Sequence, residues 1–477
     1  MIEFILNERV VKTGFLPTTV LLDFLRKEKR LTGTKEGCRE GDCGACTILL
    51  GVMDGNNIYY KSVNSCLIPL GDVHGKHVVT VEGITPPASG KHGTLELTAI
   101  QAALVDQGGT QCGFCTPGFV VSLTGYFLNN TSLNFYDAVE SLGGNVCRCT
   151  GYAGIKRAVE QSILFFEKEK LEKKTQLENL VTLNFIPEYF CGIKEQLKKI
   201  HPGKLASKKK SNILIAGGTD LYVQRWESLV RSESELISGN QKLSGIFIKN
   251  KLIKIGAATT IEEIKSSLLL KKHFPLWNSY LNLFGSLPIR NRATVGGNIV
   301  NASPIGDVTN VLLALNAFVH LNGGKKKRSI PLKNFYKGYK TLDKKTDEIV
   351  ESVSFSLPSK KSFFNFEKVS KRRYLDIASV NSSAYIETRR GKISTAHISA
   401  GGVAPIPAYL SRTCDYLIGK IITTEAVVEA ASIAMGEILP ISDARGSAEY
   451  KRLLLRQLLY AHFIKFFPQQ IDLEKLF

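Results

Sequence analysis

Eight of the ten cysteines of this 477-residue chain fall before residue 150, in two groups. Cys38, Cys43 and Cys46 stand within nine positions in "EGCREGDCGACTILL" (36–50), and Cys66 follows after 19 intervening residues. Cys112 and Cys115 lie in "QCGFCTPG", and Cys147 and Cys149 in "NVCRCTGY". Four sulfurs that serve one centre must converge, so each group forces its part of the chain to fold around a loop. The C-x4-C-x2-C spacing with a distant fourth cysteine is that of a plant-type two-iron, two-sulfur loop. Gly37, Gly41 and Gly44 let such a loop wrap closely and turn its amides toward sulfur. Four thiolates also suit structural zinc, which remains the competing reading, although zinc sites usually arise from two paired hooks. In the second group a dithiol redox motif accounts for Cys112 and Cys115 but leaves Cys147 and Cys149 unexplained. A one-residue gap is unusual for zinc and favours a second two-iron cluster. Cys191 and Cys414 stand alone and read as ordinary buried thiols.

The length predicts several domains. Residues 1–80 alternate short apolar runs with Gly and Asn turns around one helical stretch, "TVLLDFLRKE", which predicts a small sheet crossed by a helix. Residues 81–166 turn helical, with Pro117 close to a helix start. The polar run 167–180 reads as a helical tail or linker. "NILIAGGTDLYVQRW" and "LIKIGAATTIEEIKSSL" each give strand, glycine turn and helix, and "SLPSKKS" near 358 marks another boundary. The expected domains are therefore 1–80, 81–166, 181–358 and 359–477.

With 62 basic and 43 acidic residues the formal charge is +19, which invites a nucleic-acid reading. The lysines cluster in short runs beside turn residues, "SKKKS" at 207–211 and "GGKKKRS" at 323–329, and neither zinc-finger spacing nor an RNA-recognition aromatic motif accompanies them. The expectation is no nucleic acid. No run of 18 apolar residues suggests a membrane span, and the N-terminus lacks a signal-peptide pattern, so the expected location is cytoplasmic.

Together, "GCREGDCGACTILL", "QCGFCTPGF" and "NVCRCTGY" resemble the two cluster domains of the xanthine dehydrogenase family of molybdenum hydroxylases. The resemblance implies that Cys38, Cys43, Cys46 and Cys66 hold one [2Fe-2S] cluster and Cys112, Cys115, Cys147 and Cys149 the other. It implies an α+β multidomain fold: a plant-ferredoxin-like β-grasp domain, a four-helix [2Fe-2S] domain, an α/β FAD-binding domain of the vanillyl-alcohol-oxidase/CO-dehydrogenase-flavoprotein type, and a C-terminal α+β domain. "LIAGGTDLYV" and "RNRATVGGNIVNASPIGDV" resemble that FAD domain. By themselves they are a strand–glycine–helix turn suited to a diphosphate and a dense set of polar groups. The resemblance places Leu214, Ile215, Ala216, Gly217, Gly218, Thr219, Asp220 and Leu221 around the diphosphate, continued by Thr294, Val295, Gly296, Gly297 and Asn298. It sets Phe284 against the flavin ring, with Asp307, Val350 and Lys368 in further contact. Tyr339 in "YKGYKTL" is the implied NAD contact, and "SKRRYLDIASVN" (370–381) resembles a mobile loop near the flavin.

The resemblance runs from about residue 2 to 470 and leaves no stretch for a molybdopterin domain. It therefore implies the small subunit of a split enzyme, paired with a molybdopterin-binding large subunit as a dimer of heterodimers. Gln111 matches a glutamine that reaches the pterin. Electrons from molybdenum would pass through both clusters to FAD and then to NAD, with xanthine as the expected substrate and aldehydes or N-heterocycles as the alternative. No catalytic side chain is expected in this chain.

Overall fold

The computed structural model describes residues 1–86, 96–200, 213–324, 326–372 and 374–476. The basic run 207–211, Lys325 of the second run and Arg373 of the 370–381 loop lie outside these. The chain forms two compact units, one of residues 1–238 with 286–292, the other of residues 239–285 with 293–477.

In the first unit, β1 (Ile2–Leu6), β2 (Arg9–Thr13), β3 (Thr47–Asp54), β4 (Asn57–Asn64) and β5 (His77–Val79) form a sheet ordered β2-β1-β5-β3-β4, with β1 and β5 parallel. The helix predicted in "TVLLDFLRKE" starts as Leu21–Asp23 and widens to a π-helix over Phe24–Glu28. Its Leu21, Phe24 and Leu25 bury against Phe4, Ile48, Leu50 and Val78 of the sheet. The long loop between this helix and β3 carries the first three cysteines.

After the short helix Val81–Ile84 come four longer ones, Ala99–Asp106, Thr116–Asn129, Phe135–Ser141 and Ala153–Glu169. The first of these four opens with a capping box, Thr98 bonded to the amide of Gln101 and Gln101 reaching back to that of Thr98. Pro117 sits in the first turn of the second, where a missing N–H costs nothing. Their core centres on Phe127, Phe166, Phe185 and Phe190. Asn129 joins the bundle to the sheet edge, accepting from the Tyr60 amide at 3.0 Å and donating to the Tyr60 carbonyl at 2.6 Å. In the stretch 167–180 the helix Ala153–Glu169 ends and a further helix, Gln176–Thr182, starts, with its Leu180 buried in the helical core. Cys191, expected to be buried, is exposed in the next helix, Phe190–Lys199, because it falls on that helix's solvent side, whereas Cys414 is buried. After the helix Phe190–Lys199, the unit continues with β6 (Ile213–Ile215), the helix Leu221–Leu229 and β7 (Ser234–Leu236), with β6 and β7 parallel.

The second unit holds β8 (Ile246–Lys249), β9 (Leu252–Gly256), β10 (Phe318–Asn322), β11 (Lys327–Pro331), a small hairpin of β12 (Tyr336–Gly338) and β13 (Thr341–Leu342), and β14 (Ile349–Ser356). The larger sheet is antiparallel, ordered β11-β10-β14-β9-β8, and the helix Val295–Asn301 packs on it. A second antiparallel sheet follows, of β15 (Ser362–Val369), β16 (Val380–Arg389), β17 (Lys392–Gly401) and β18 (Ala408–Tyr409). The helices Ser411–Leu417, Thr424–Met435 and Ala448–Phe466 bury their apolar faces against it.

Candidate functional site

The first cysteine group sorts into two pairs. Cys46, just before β3, and Cys66, just after β4, are buried with their sulfurs 3.3 Å apart, because β3 and β4 pair antiparallel and bring these ends together. Cys38 and Cys43 hydrogen-bond across the loop. The Glu40 amide donates to the Cys38 sulfur at 3.3 Å, and Asn64 Nδ2 reaches that of Cys46 at 3.9 Å. In each pair one thiol ionises easily and the other resists. The hydrogen bond from Cys43 lowers Cys38 to about 5, and that from Cys66 lowers Cys46. Cys43 and Cys66 are pushed up, first by donating that bond and then by burial. Two adjacent thiolates need a cation between them to ionise together.

The second group pairs crosswise. The sulfurs of Cys112 and Cys149 stand 3.9 Å apart, and Cys115 hydrogen-bonds Cys147. Cys115 precedes the helix Thr116–Asn129, and Cys147 and Cys149 lie in the loop before Ala153–Glu169. The Thr150 amide donates to the Cys147 sulfur at 3.4 Å, while the Cys147 amide donates to Tyr152 Oη at 3.1 Å. Burial and then the bond to Cys147 push the Cys115 thiol up to about 12.

This arrangement bears on the choice of metal. A tetrahedral zinc with Zn–S bonds of about 2.3 Å sets all four sulfurs about 3.8 Å from one another. In the structure the sulfurs of Cys46 and Cys66, and those of Cys112 and Cys149, close as pairs, 3.3 and 3.9 Å apart. Two thiols, then two more, is the order that a two-iron cluster asks for, each iron taking one pair, and the amides aimed at sulfur suit the same group.

The two loops are joined directly. The Val146 amide donates to the Cys43 carbonyl at 3.0 Å. Asn145 Nδ2 donates to the Gly44 carbonyl at 3.1 Å, and Asn145 Oδ1 accepts from Ser122 Oγ at 2.8 Å. Gly44 has φ of +68°, and a Cβ there would lie 2.3 Å from the Gly144 carbonyl oxygen. Sequence reasoning missed Asn145 and Ser122; the one sign was an asparagine two residues before Cys147.

The flavin-type residues fall in both units. In the first, Leu214 and Ile215 belong to β6, Ala216 to Asp220 form the turn, and Leu221 starts the helix. Gly218 has φ of +79°, and its missing Cβ would stand 3.2 Å from the carbonyl oxygen of Leu67, next to Cys66. Ile215 and Tyr222 share an apolar cluster with Cys46, Cys66 and Leu67. Among the described residues the amides of Gly218 and Thr219 make no hydrogen bond, which leaves two donors unused just before the helix Leu221–Leu229, as a diphosphate requires.

In the second unit, Thr294 caps the helix Val295–Asn301 by accepting from the Gly297 amide at 3.1 Å, and the Gly296 amide donates to Ala257 at 2.9 Å. Asn298 Oδ1 accepts from the Thr309 amide and hydroxyl at 3.2 and 3.0 Å. Lys368 Nζ donates to Asp307 and to the Leu283 carbonyl, both at 2.7 Å, which draws Asp307, Lys368 and the chain beside Phe284 together. Asn381 Nδ2 donates to the other Asp307 oxygen at 2.5 Å, a partner that sequence reasoning missed. Val350 sits apart from this network in β14, opposite Leu321. Tyr339 is exposed in the β12–β13 turn, and Gln111 is exposed beside Cys112.

Comparison with known proteins matches four family models in succession: a 2Fe-2S iron-sulfur cluster binding domain over residues 11–70, a [2Fe-2S] binding domain over 80–160, the FAD binding domain in molybdopterin dehydrogenase over 195–359, and the CO dehydrogenase flavoprotein C-terminal domain over 366–466. Xanthine dehydrogenase of Dictyostelium discoideum is 28% identical over 558 residues, with 97% of this chain and 40% of the relative covered. Xanthine dehydrogenase 1 of Arabidopsis thaliana is 29% identical (96% and 39% covered), and aldehyde oxidase of Homo sapiens 27% (98% and 39%). The chain thus spans about two fifths of the length of these relatives. A solved carbon monoxide dehydrogenase chain from Hydrogenophaga pseudoflava superposes with a TM-score of 0.51 at 26% identity, over 54% of this chain and 90% of that one. With two [2Fe-2S] domains, an FAD-binding domain and its C-terminal companion in this order, the chain belongs to the molybdenum hydroxylase family, as its iron–sulfur and flavin electron-transfer region.

Proposed function

We propose that the chain is the iron–sulfur and FAD part of a xanthine dehydrogenase. It takes electrons from a molybdenum centre on a molybdopterin-binding large subunit, released as hypoxanthine is oxidised to xanthine and xanthine to urate, and delivers them to NAD. The observation that carries the relay is the bonded contact of two paired-thiol loops, with the Cys43 carbonyl accepting from Val146, next to Cys147. In this reading Cys38, Cys43, Cys46 and Cys66 bind one cluster and Cys112, Cys115, Cys147 and Cys149 the other. When bound, the clusters carry electrons singly and the flavin exchanges them in pairs with NAD.

The remaining roles belong to the chain's own groups. Leu214 to Leu221 and Thr294 to Asn298 hold the diphosphate, Phe284 covers the flavin ring, and Asp307, Val350 and Lys368 orient it. Lys368 already holds Asp307 in place, so this charge stays fixed when ligand enters. The exposed Tyr339 meets the nicotinamide. Exposed Gln111 and Cys112 mark the face toward the molybdopterin subunit, in a dimer of heterodimers in the cytoplasm. That just over half of this chain covers nine tenths of the matched carbon monoxide dehydrogenase chain supports a split organisation.

A second reading keeps the relay and replaces xanthine by an aldehyde or N-heterocycle. Aldehyde oxidases match over the same span at similar identity, which favours it. Co-purifying the partner and assaying xanthine with NAD decides: urate and NADH support the first reading. Turnover of aldehydes but not xanthine by the molybdenum-loaded complex supports the second.

A further inference from the structure

Arg292 lies just outside the "ATVGGN" segment and has no part in the reading above. Its side chain is only 8% exposed and ion-pairs with Asp72, whose own side chain is 3% exposed, in the turn Leu70–Val73 that follows Cys66. Asp72's other oxygen accepts from Ser238 Oγ at 2.5 Å. The same guanidinium donates to the Gly217 carbonyl, from Nη2 at 3.0 Å and from Nε at 3.3 Å. This carbonyl and the amide of Gly218 are the two ends of one trans-planar peptide, so they point in opposite directions. Holding the oxygen toward Arg292 turns the Gly218 N–H away from it, and that N–H is one of the two unused donors at the helix N-terminus. A cation on the oxygen also polarises the peptide and strengthens the N–H as a donor.

We propose that Arg292, held by Asp72, is a positioning residue for a diphosphate-bearing ligand: it fixes the Gly217–Gly218 peptide so that Gly218 N–H faces the phosphates, and it fastens this turn to the ferredoxin-type domain beside Cys66. The proposal rests on the reading of this turn as the FAD diphosphate cradle. A lysine cannot replace the fork, because one ammonium lacks the planar donor pair that serves carboxylate and carbonyl together.

The full chain, stripped of flavin, is titrated with FAD, ADP and riboflavin as wild type, Arg292→Lys, Arg292→Met and Asp72→Asn, with the visible circular dichroism of the clusters as a check on folding. Arg292→Met is expected to weaken FAD and ADP at least tenfold, Arg292→Lys and Asp72→Asn several-fold, with riboflavin binding and cluster spectra unchanged. A merely structural arginine would lower the melting temperature and leave the FAD-to-riboflavin affinity ratio untouched, which would overturn the proposal. If Arg292→Met does not fold, wild-type FAD affinity in Arg292→Lys overturns it equally. Wild-type protein that binds neither FAD nor ADP instead sinks the flavin reading itself.

Discussion

Gly44→Ala tests the contact between the two cysteine loops. An L-residue at φ of +68° costs roughly 1 to 2 kcal/mol in the left-handed region. The added methyl would stand 2.3 Å from the Gly144 carbonyl oxygen and 2.9 Å from Asn145 Cα, both main-chain atoms that cannot swing aside. Overpacking of this kind costs about 1 to 3 kcal/mol. Asn145 Nδ2, 2.5 Å from the same point, must also give up the Gly44 carbonyl, which removes about 1 kcal/mol. The sum is a loss of about 3 to 6 kcal/mol before relaxation. Gly55→Ala is the control: its φ of +57° carries the backbone term, but no atom lies within 4 Å of the new methyl. Urea denaturation of the two variants, with electron paramagnetic resonance to follow the coupling of the clusters, gives the comparison. A Gly44→Ala variant no less stable than Gly55→Ala, with unaltered coupling, would refute the claim that main chain meets main chain here.

Three further outcomes follow from the structure. Cys46→Ser removes one sulfur of the buried Cys46–Cys66 pair and is expected to abolish one cluster's resonance while that of the Cys112–Cys149 group persists; loss of neither signal would contradict the ligand assignment. Asp307→Ala leaves the Lys368 ammonium, 3% exposed, without its anion, and is expected to cost about 3 to 5 kcal/mol, part of it recovered in the Asp307→Ala/Lys368→Met double variant on chemical denaturation. His462 is buried, accepting from Asn365 Nδ2 and donating to Ser382 Oγ, and burial first and Lys465 second lower it to about 3. Below pH 6.5 the unfolded chain takes a proton that the folded one refuses, so stability falls as pH drops from 6.5 toward 3, by about 4 to 5 kcal/mol in all. His462→Gln is expected to flatten that slope in pH-dependent melting.

How much was legible in the sequence follows the range of the interactions. Cysteine spacing is local chemistry, so both groups and the four-domain order could be read directly. The crosswise pairing of Cys112 with Cys149 could not, because it depends on how two loops meet. The strand–glycine–helix turn at 213–229 was visible, but its grip was not: Arg292 lies 75 residues from Gly217 and 220 from Asp72. For the same reason the return of residues 286–292 to the first unit escaped notice, since nothing in "SLPIRNR" marks a segment that bonds to Ser62 and Asp72. The buried amides Asn145 and Asn381 look like turn residues in sequence, and only packing shows that each satisfies groups on a neighbouring element.

The central claim, that two paired-thiol loops and a flavin cradle form one electron relay, is tested most directly by determining iron, acid-labile sulfide, zinc and flavin on a single preparation of the purified chain. The account predicts two irons and two labile sulfides for each cysteine group, with one FAD per chain. Stoichiometric zinc with no labile sulfide and no flavin would contradict it.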